Sequence, residues 1–334
     1  MDDARRYCAD ILRTLGFTVR EQPFEYSKFP GAFATPVAGV VVVMFAAGLV
    51  AARPLSIRSG LTLLAAAALV GLGFAYVGAR GVLTLAVARS RGVNLEALRG
   101  DGEPSVWLVA HLDSKWQPVS MITRVAGVIA SSIGLVALAA AASIAGVPDT
   151  LMYVLFGLTS LGAIPLMLSY VGDRNHGALD NASGVAAVLE AVEMIGDRAR
   201  VGVVITDAEE LALAGAHAWA ASRAPAVALN CDSVDDAGEL VLMYSGRRPG
   251  PLIEELAHAA QANAERIRVF RLIPGILTDH VALAARGWTT VTLSRGTART
   301  LRRIHTSGDT LETMDGRGIA GAARVLAQTA MELG

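Results

Sequence analysis

The chain has 334 residues, 53% hydrophobic and 18% charged, with a formal net charge of −1 and a mean hydropathy of +0.47. It is apolar beside the roughly 25% charged residues of an ordinary soluble domain, and the near-zero charge argues against general attraction to nucleic acid or acidic lipid. Its two cysteines, Cys8 and Cys231, stand far apart in the chain, which argues against a disulfide framework or a cysteine-based metal site.

Charged residues are scattered through 1–28, so no cleavable signal peptide is expected there. In "DARRYCADILRTLGF", Tyr7, Ile11, Leu12 and Leu15 recur at helical spacing and Gly16 can end the helix. "TVREQPFEYS" then alternates as a strand does. Two runs without Asp, Glu, Lys or Arg follow, 29–52 and 59–79, joined by the short linker "RPLSIRS". "SVWLVAH" (105–111) reads as a short apolar strand that delivers His111 at its carboxyl end. Two further charge-free runs, 125–148 and 150–172, meet at "VPD".

About 20 helical residues rising ~1.5 Å each span a ~30 Å hydrocarbon core. The four runs therefore predict four transmembrane helices in two hairpins, 29–89 and 121–172. Pro36 and Pro165 lie inside two of the runs, which membrane helices tolerate better than soluble ones. A hairpin returns to the side it left, so 1–28, 90–120 and 173–334 are expected on one face of the membrane, as one domain. Strands are expected near 200–210, 226–234, 239–245, 267–273 and 289–294, and helices near 183–195, 250–265, 279–286 and 317–332. This alternation predicts an α/β fold with a mixed, mostly parallel sheet covered by helices on both faces, with ligands gathering outside the carboxyl ends of the strands.

The polar residues collect at those ends: His111 and Asp113, Asp180, Glu209 and Glu210, Asp232, and His305. Any one of them alone reads as an ordinary loop or core residue. As a set they place several carboxylates at one edge, where unpaired burial costs several kcal/mol each and calls for cations. Imidazoles with carboxylates suit Zn²⁺ best, with Mn²⁺ or Co²⁺ chemically possible. His111 and Asp113, two apart on extended chain, point the same way, so the Asp113 carboxylate can accept the second ring N–H of His111. Glu209 and Glu210 diverge, letting one bind metal while the other meets a water. Asp180, in the tight "GALDNASG" turn, is placed to bridge two ions.

"VAHLDS", "GALDNASGVA", "TDAEELALAGAHA", "ALNCDSV", "TDHVALAARGWTTVTL" and "IHTSGDT" occur in that order. Together they resemble the motifs of the M28 family of co-catalytic zinc aminopeptidases, and the N-terminal helix and strand resemble that family's opening. The resemblance covers nearly all of the chain outside the two hairpins. It implies two Zn²⁺ ions, one held by His111 and Asp232, the other by Glu210 and His305, with Asp180 between them. It further implies Glu209 as general base, Asp113 as the group orienting His111, and hydrolysis of the N-terminal peptide bond of peptides. Alternatives are a mononuclear zinc acyl hydrolase or cyclase, and a non-catalytic membrane scaffold that kept the fold.

The chain departs from the family pattern in three places. The family's glutamate motif usually continues with Gly and ends Gly-Ser, and Ala212 and Ala216 stand at those places, which reads as a packing adjustment. "RLIPGIL" (271–277) lacks a Tyr that some members place near the developing oxyanion. Asp279 and His280 are expected to cap and steady a helix.

The second hairpin separates His111 from Asp180, and extended chain covers at most ~3.6 Å per residue. The site is therefore expected close to the bilayer, with peptide or protein N-termini in or on the membrane as substrates. Lys28, Arg80, Arg89, Arg91, Lys115, Arg124 and Arg174 flank the helices on the catalytic side, against Arg53 and Arg58 on the other. The positive-inside bias then favours a cytoplasmic catalytic domain.

Overall fold

The computed structural model describes residues 1–53, 55–172, 174–272 and 276–334; within 57–80 the side chains of 74, 75 and 77–80 are outside that description. The described chain divides into two compact units, one of 1–26, 89–115 and 174–334, the other of 27–88 and 116–173.

In chain order the elements are α1 (Asp2–Thr14), β1 (Thr18–Ser27), α2 (Ala34–Ala51), α3 (Ile57–Arg80), β2 (Arg89–Leu98), β3 (Val106–His111), α4 (Met121–Ala142) and α5 (Asp149–Met167). They continue with α6 (Ser183–Ile195), β4 (Val201–Thr206), α7 (Ala214–Ala221), β5 (Val227–Val234), β6 (Glu239–Tyr244) and α8 (Gly250–Ala262). The chain ends with β7 (Ile267–Arg271), α9 (Asp279–Ala284), β8 (Thr289–Gly296), α10 (Thr300–Arg303) and α11 (Arg317–Leu333).

The first unit is built on an eight-stranded sheet in the order β1-β2-β4-β3-β5-β8-β6-β7. β4, β3, β5 and β8 run parallel, while β2 joins β4 and β6 joins β8 antiparallel. The mixed, mostly parallel sheet expected from the strand–helix alternation is the one observed. Strand β2 was not evident in the sequence. Its "RSRGVNLEAL" opens on charge, and its buried Asn94 and Glu96 interrupt the apolar pattern.

Side-chain alternation divides the core. Leu108 and Ala110 of β3, with Leu229 and Cys231 of β5, face a large cluster with α1, α6, α8 and α11. Trp107 and Val109, with Val204 and Ala228, face a smaller cluster under α7 and α9. There Trp107 meets Trp219 edge-on at 4.8 Å and Trp219 meets Trp288 at 4.9 Å, which a side chain at Gly202 would obstruct, its Cβ falling 2.5 Å from the Trp107 ring. By the same period of two, His111, Asn230 and Asp232 belong to the α7/α9 face.

The second unit holds α2 to α5. Three of its helices are long and apolar enough to cross a membrane, Phe29–Ala51, Met121–Ala142 and Asp149–Met167. The described part of α3, Ile57–Gly73, is a shorter apolar helix. Small residues let the helices approach: a Cβ on Gly162 would lie 2.8 Å from the Ser131 nitrogen, and one on Gly39 would lie 2.7 Å from Met167. The hydroxyl of Thr159 is satisfied within its own helix, by Leu155 oxygen at 2.7 Å. Met44, Leu61, Leu69, Ile133, Leu158 and Leu161 point outward and are exposed. Each insertion is clasped at its base. Lys28 N–H donates to Ala88 oxygen at 2.9 Å in the first, and Trp116 exchanges backbone hydrogen bonds with Gly172 in the second.

Candidate metal centre

The parallel strands present three adjacent carboxyl ends. Register places His111 of β3 against Thr206 of β4, and Val109 against Asn230 of β5, so that Asp232, two residues on, comes level with His111. His111 Nε2 lies 3.6 Å from Asp232 Oδ1 and 4.0 Å from Glu209 Oε2.

Asp180 reaches the same place from the turn before α6, where its two oxygens face different imidazoles. Oδ1 is 3.1 Å from His111 Nε2, and Oδ2 is 2.9 Å from His305 Nε2. His305 in turn lies 3.0 Å from Glu210 Oε1. Two triads result, His111–Glu209–Asp232 and Asp180–Glu210–His305, each offering three ligand atoms within 4.8 Å of one another. All six residues are buried, none more than 7% exposed.

Several surrounding groups hold these side chains in place. Asp113 does so differently from the expectation. Its backbone oxygen, 3.0 Å from His111 Nδ1, is the group that orients the ring, whereas its carboxylate stands 3.7 Å away, beyond hydrogen-bond reach. That carboxylate accepts instead from the backbone N–H groups of Glu209 at 2.9 Å and Glu210 at 3.1 Å, fixing the loop that carries both glutamates. Spacing predicts that His111 and Asp113 share a direction, but not which acceptor the ring meets.

Two further residues were missed in the sequence. Asp309, fully buried, accepts from the N–H groups of Leu179 at 2.5 Å and Asp180 at 3.2 Å. Asn181 accepts from Gly184 and Ser233 and donates to Cys231 oxygen, tying the Asp180 turn to β5. The available signal was their place in the "IHTSGDT" and "GALDNASGVA" segments beside His305 and Asp180.

Asp279 and His280 do not cap a helix. Because the first turn of α9 packs onto the sheet, both side chains turn inward and are fully buried. Asp279 accepts from the Thr206 hydroxyl, and His280 Nδ1 sits between Thr278 Oγ1 at 2.6 Å and Thr292 Oγ1 at 2.7 Å. Residues 273–275, within the segment 271–277 that lacks the family's Tyr, lie outside the described residues.

The electrostatics follow from burial of many acids together. Burial, then Glu210 and Asp232 against the pull of His111, raise the Glu209 carboxyl well above the ordinary range. Burial also opposes ionisation of Asp180, yet His111 and His305 hold its carboxyl below the usual range. Burial, with Asp113 and Asp232, pushes Asp279 up to about 7 despite His111 and Thr206. Burial disfavours charge on His111 and His305 too, but the surrounding carboxylates outweigh it and raise both imidazoles. Glu210 Oε1 is buried, with His305 Nε2 at 3.0 Å as its neighbour in the site. Oxygen and imidazole donors, acid-rich and largely buried, fit divalent cations of the Zn²⁺ type.

The loop after β4 is strained, with Ala208 at φ +58°, Ala212 at +70° and Leu213 at +58°. Ala212 stands where glycine is usual in the family resembled, and its left-handed backbone supplies the reason. A left-handed L-residue costs roughly 1–2 kcal/mol, and glycine loses about 0.5–1 kcal/mol through chain entropy. Ala212→Gly is therefore expected to stabilise the protein by up to about 1 kcal/mol, read as a raised thermal midpoint.

The sequence profile of Peptidase family M28 matches residues 95–330, well over half of the chain. The chain belongs to this family, a family of zinc-dependent peptidases. Among solved structures, the aminopeptidase from Aneurinibacillus sp. strain AM-1 is similar in fold at 13% identity, with 97% of this chain and 86% of that one covered and a TM-score of 0.55. A glutaminyl cyclase from Macrostomum lignano is equally similar, at 13% identity over 99% of this chain and 82% of that one, with a TM-score of 0.55. The zinc aminopeptidase BSAP from Bacillus subtilis aligns at 18% identity over 74% of this chain, with a TM-score of 0.48; the chain spans 51% of its length. No curated protein sequence matches the chain.

Proposed function

We propose that the chain is a membrane-embedded, zinc-dependent aminopeptidase that hydrolyses the N-terminal peptide bond of peptides. The observation that carries this is Asp180, whose two oxygens meet His111 at 3.1 Å and His305 at 2.9 Å, as a carboxylate shared by two cations requires. His111 and Asp232 complete one position, and Glu210 and His305 the other. Zn²⁺ is the expected ion at both, with Mn²⁺ or Co²⁺ as chemical substitutes. When bound, the two ions supply Lewis acidity toward a water and the scissile carbonyl.

The chain's own residues do the rest. Glu209, uncommitted to Asp113 through its side chain and raised by burial, takes the proton of the attacking water and returns it to the leaving amine. Asp113 holds Glu209 and Glu210 through their backbone and His111 through its ring. Burial of all six site residues excludes competing water. A one-metal acyl hydrolase or cyclase is the second reading, and the glutaminyl cyclase fold supports it as well as the aminopeptidase fold does.

The membrane part of the proposal rests on four charge-free runs, three of them helices of spanning length. Outward-facing Met44, Ile133, Leu158 and Leu161 support it, since a lipid-facing helix exposes apolar side chains. We read 1–28, 90–120 and 173–334 as the metallopeptidase domain and 29–89 and 121–172 as hairpins, with Asp173 and the Arg80 side chain outside the described residues. The far-side Arg53 is paired with Asp149, and the positive bias of the flanks supports a cytoplasmic catalytic domain. The short segments 114–120 and 168–179 that join Asp113 and Asp180 to α4 and α5 favour N-termini of membrane-associated or apolar peptides as substrates.

The test is release of an N-terminal residue from short peptides by purified protein, before and after chelation and after Zn²⁺ is restored. Loss on chelation and recovery on restoration are expected. A rate indifferent to both, or a cyclised product in place of a released amino acid, overturns the aminopeptidase reading.

A further inference from the structure

We propose that Lys115 is a built-in cation that weakens the Asp180–Glu210–His305 position for its divalent ion, so that the two positions load in sequence, the His111–Asp232 position first. This rests on the two-metal reading above. Lys115 Nζ is in contact with Glu210 Oε2 and its side chain is only 14% exposed, so the pair is poorly screened. The opposite oxygen, Oε1, faces His305.

Two consequences follow. Glu210 is left one oxygen for a metal, because the ammonium occupies the other. The positions also differ in charge. Beyond the shared Asp180, Asp232 brings an uncompensated carboxylate to the first position, whereas Glu210 and Lys115 cancel at the second. In a buried site a fixed ammonium a few ångströms away repels a divalent ion far more strongly than it would in water.

The position of Lys115 is not incidental to the chain. Its backbone oxygen accepts from Asn175 Nδ2 at 2.9 Å, and Asn175 stands where the chain re-enters the first unit after the α4–α5 insertion. Asn175 Nδ2 also approaches Asp309, which holds the Asp180 turn. Lys115 is the last residue of its segment of the first unit, so the clasp joining the two ends of the insertion also fixes the ammonium against Glu210.

The experiment is calorimetric titration of Zn²⁺ into the full-length, chelator-stripped protein, comparing wild type, Lys115→Met and Lys115→Arg. Wild type is expected to show a tight and a weaker step. Lys115→Met is expected to tighten the weaker step by about tenfold or more and to change the tight one by less than about threefold. Lys115→Arg, which keeps the charge, is expected to retain the wild-type weaker step. Unchanged steps in Lys115→Met overturn the proposal. So does a weaker second step, which would mean that the lysine merely props Glu210 in place. A wild-type protein that binds no Zn²⁺ overturns the metal reading itself, a separate outcome.

Discussion

Asp180→Asn is expected to leave the protein with less than one divalent ion per chain and to reduce peptide hydrolysis by about 10³-fold or more. The reason is geometric. Among the described residues Asp180 alone supplies an oxygen to each imidazole, so an amide removes a charged donor from both positions at once. Lewis acid activation contributes several kcal/mol to such reactions, and each 1.4 kcal/mol is a factor of about ten. A second measurement separates metal loss from misfolding. Ligand at 100 times its dissociation constant stabilises a folded protein by about 2.7 kcal/mol. The thermal midpoint of wild type should therefore rise on adding Zn²⁺, and that of Asp180→Asn should hardly move. The variant should still fold, because the turn is held by Asp309 and Asn181 through backbone groups that the substitution leaves intact. Full metal content in Asp180→Asn would remove the shared-carboxylate assignment.

Glu209→Gln is expected to separate chemistry from metal binding. The amide has the same shape, and the backbone N–H of Glu209 still reaches Asp113, so the loop should keep its form. What is lost is a group able to take and return a proton, a contribution of about 10²–10⁴ in rate. We expect kcat to fall by that factor while KM and the number of bound ions stay within about twofold of wild type. If metal content falls instead, Glu209 is a ligand, as its place in the His111–Glu209–Asp232 triad allows. If neither changes, proton transfer passes through another group.

Much of the site was legible without coordinates because each polar residue follows an apolar strand or sits in a glycine-rich turn. Such segments have few alternatives: "SVWLVAH" can only end a buried strand, and "GALDNASG" can only turn. The helix over 183–195 was legible to the residue, since its apolar period and the glycine that follows it, Gly196, agree. Strand β2 was not, because Asn94 and Glu96 are satisfied by distant partners, Gly215 in one case and Arg223 and Trp219 in the other. Local pattern cannot register a partner more than a hundred residues away.

By itself the sequence determined the alternation of strands and helices, the four charge-free runs, and the six side chains at strand and turn ends. These are local matters of period, charge and turn chemistry. Only the tertiary structure decided that Asp180 divides its oxygens between two imidazoles, and that Asp113 orients His111 through its backbone. It alone turned Asp279 inward and set Lys115 against Glu210. Hydrogen-bond direction and charge pairing depend on distances of a few tenths of an ångström between segments far apart in the chain, and a one-dimensional pattern carries no such information.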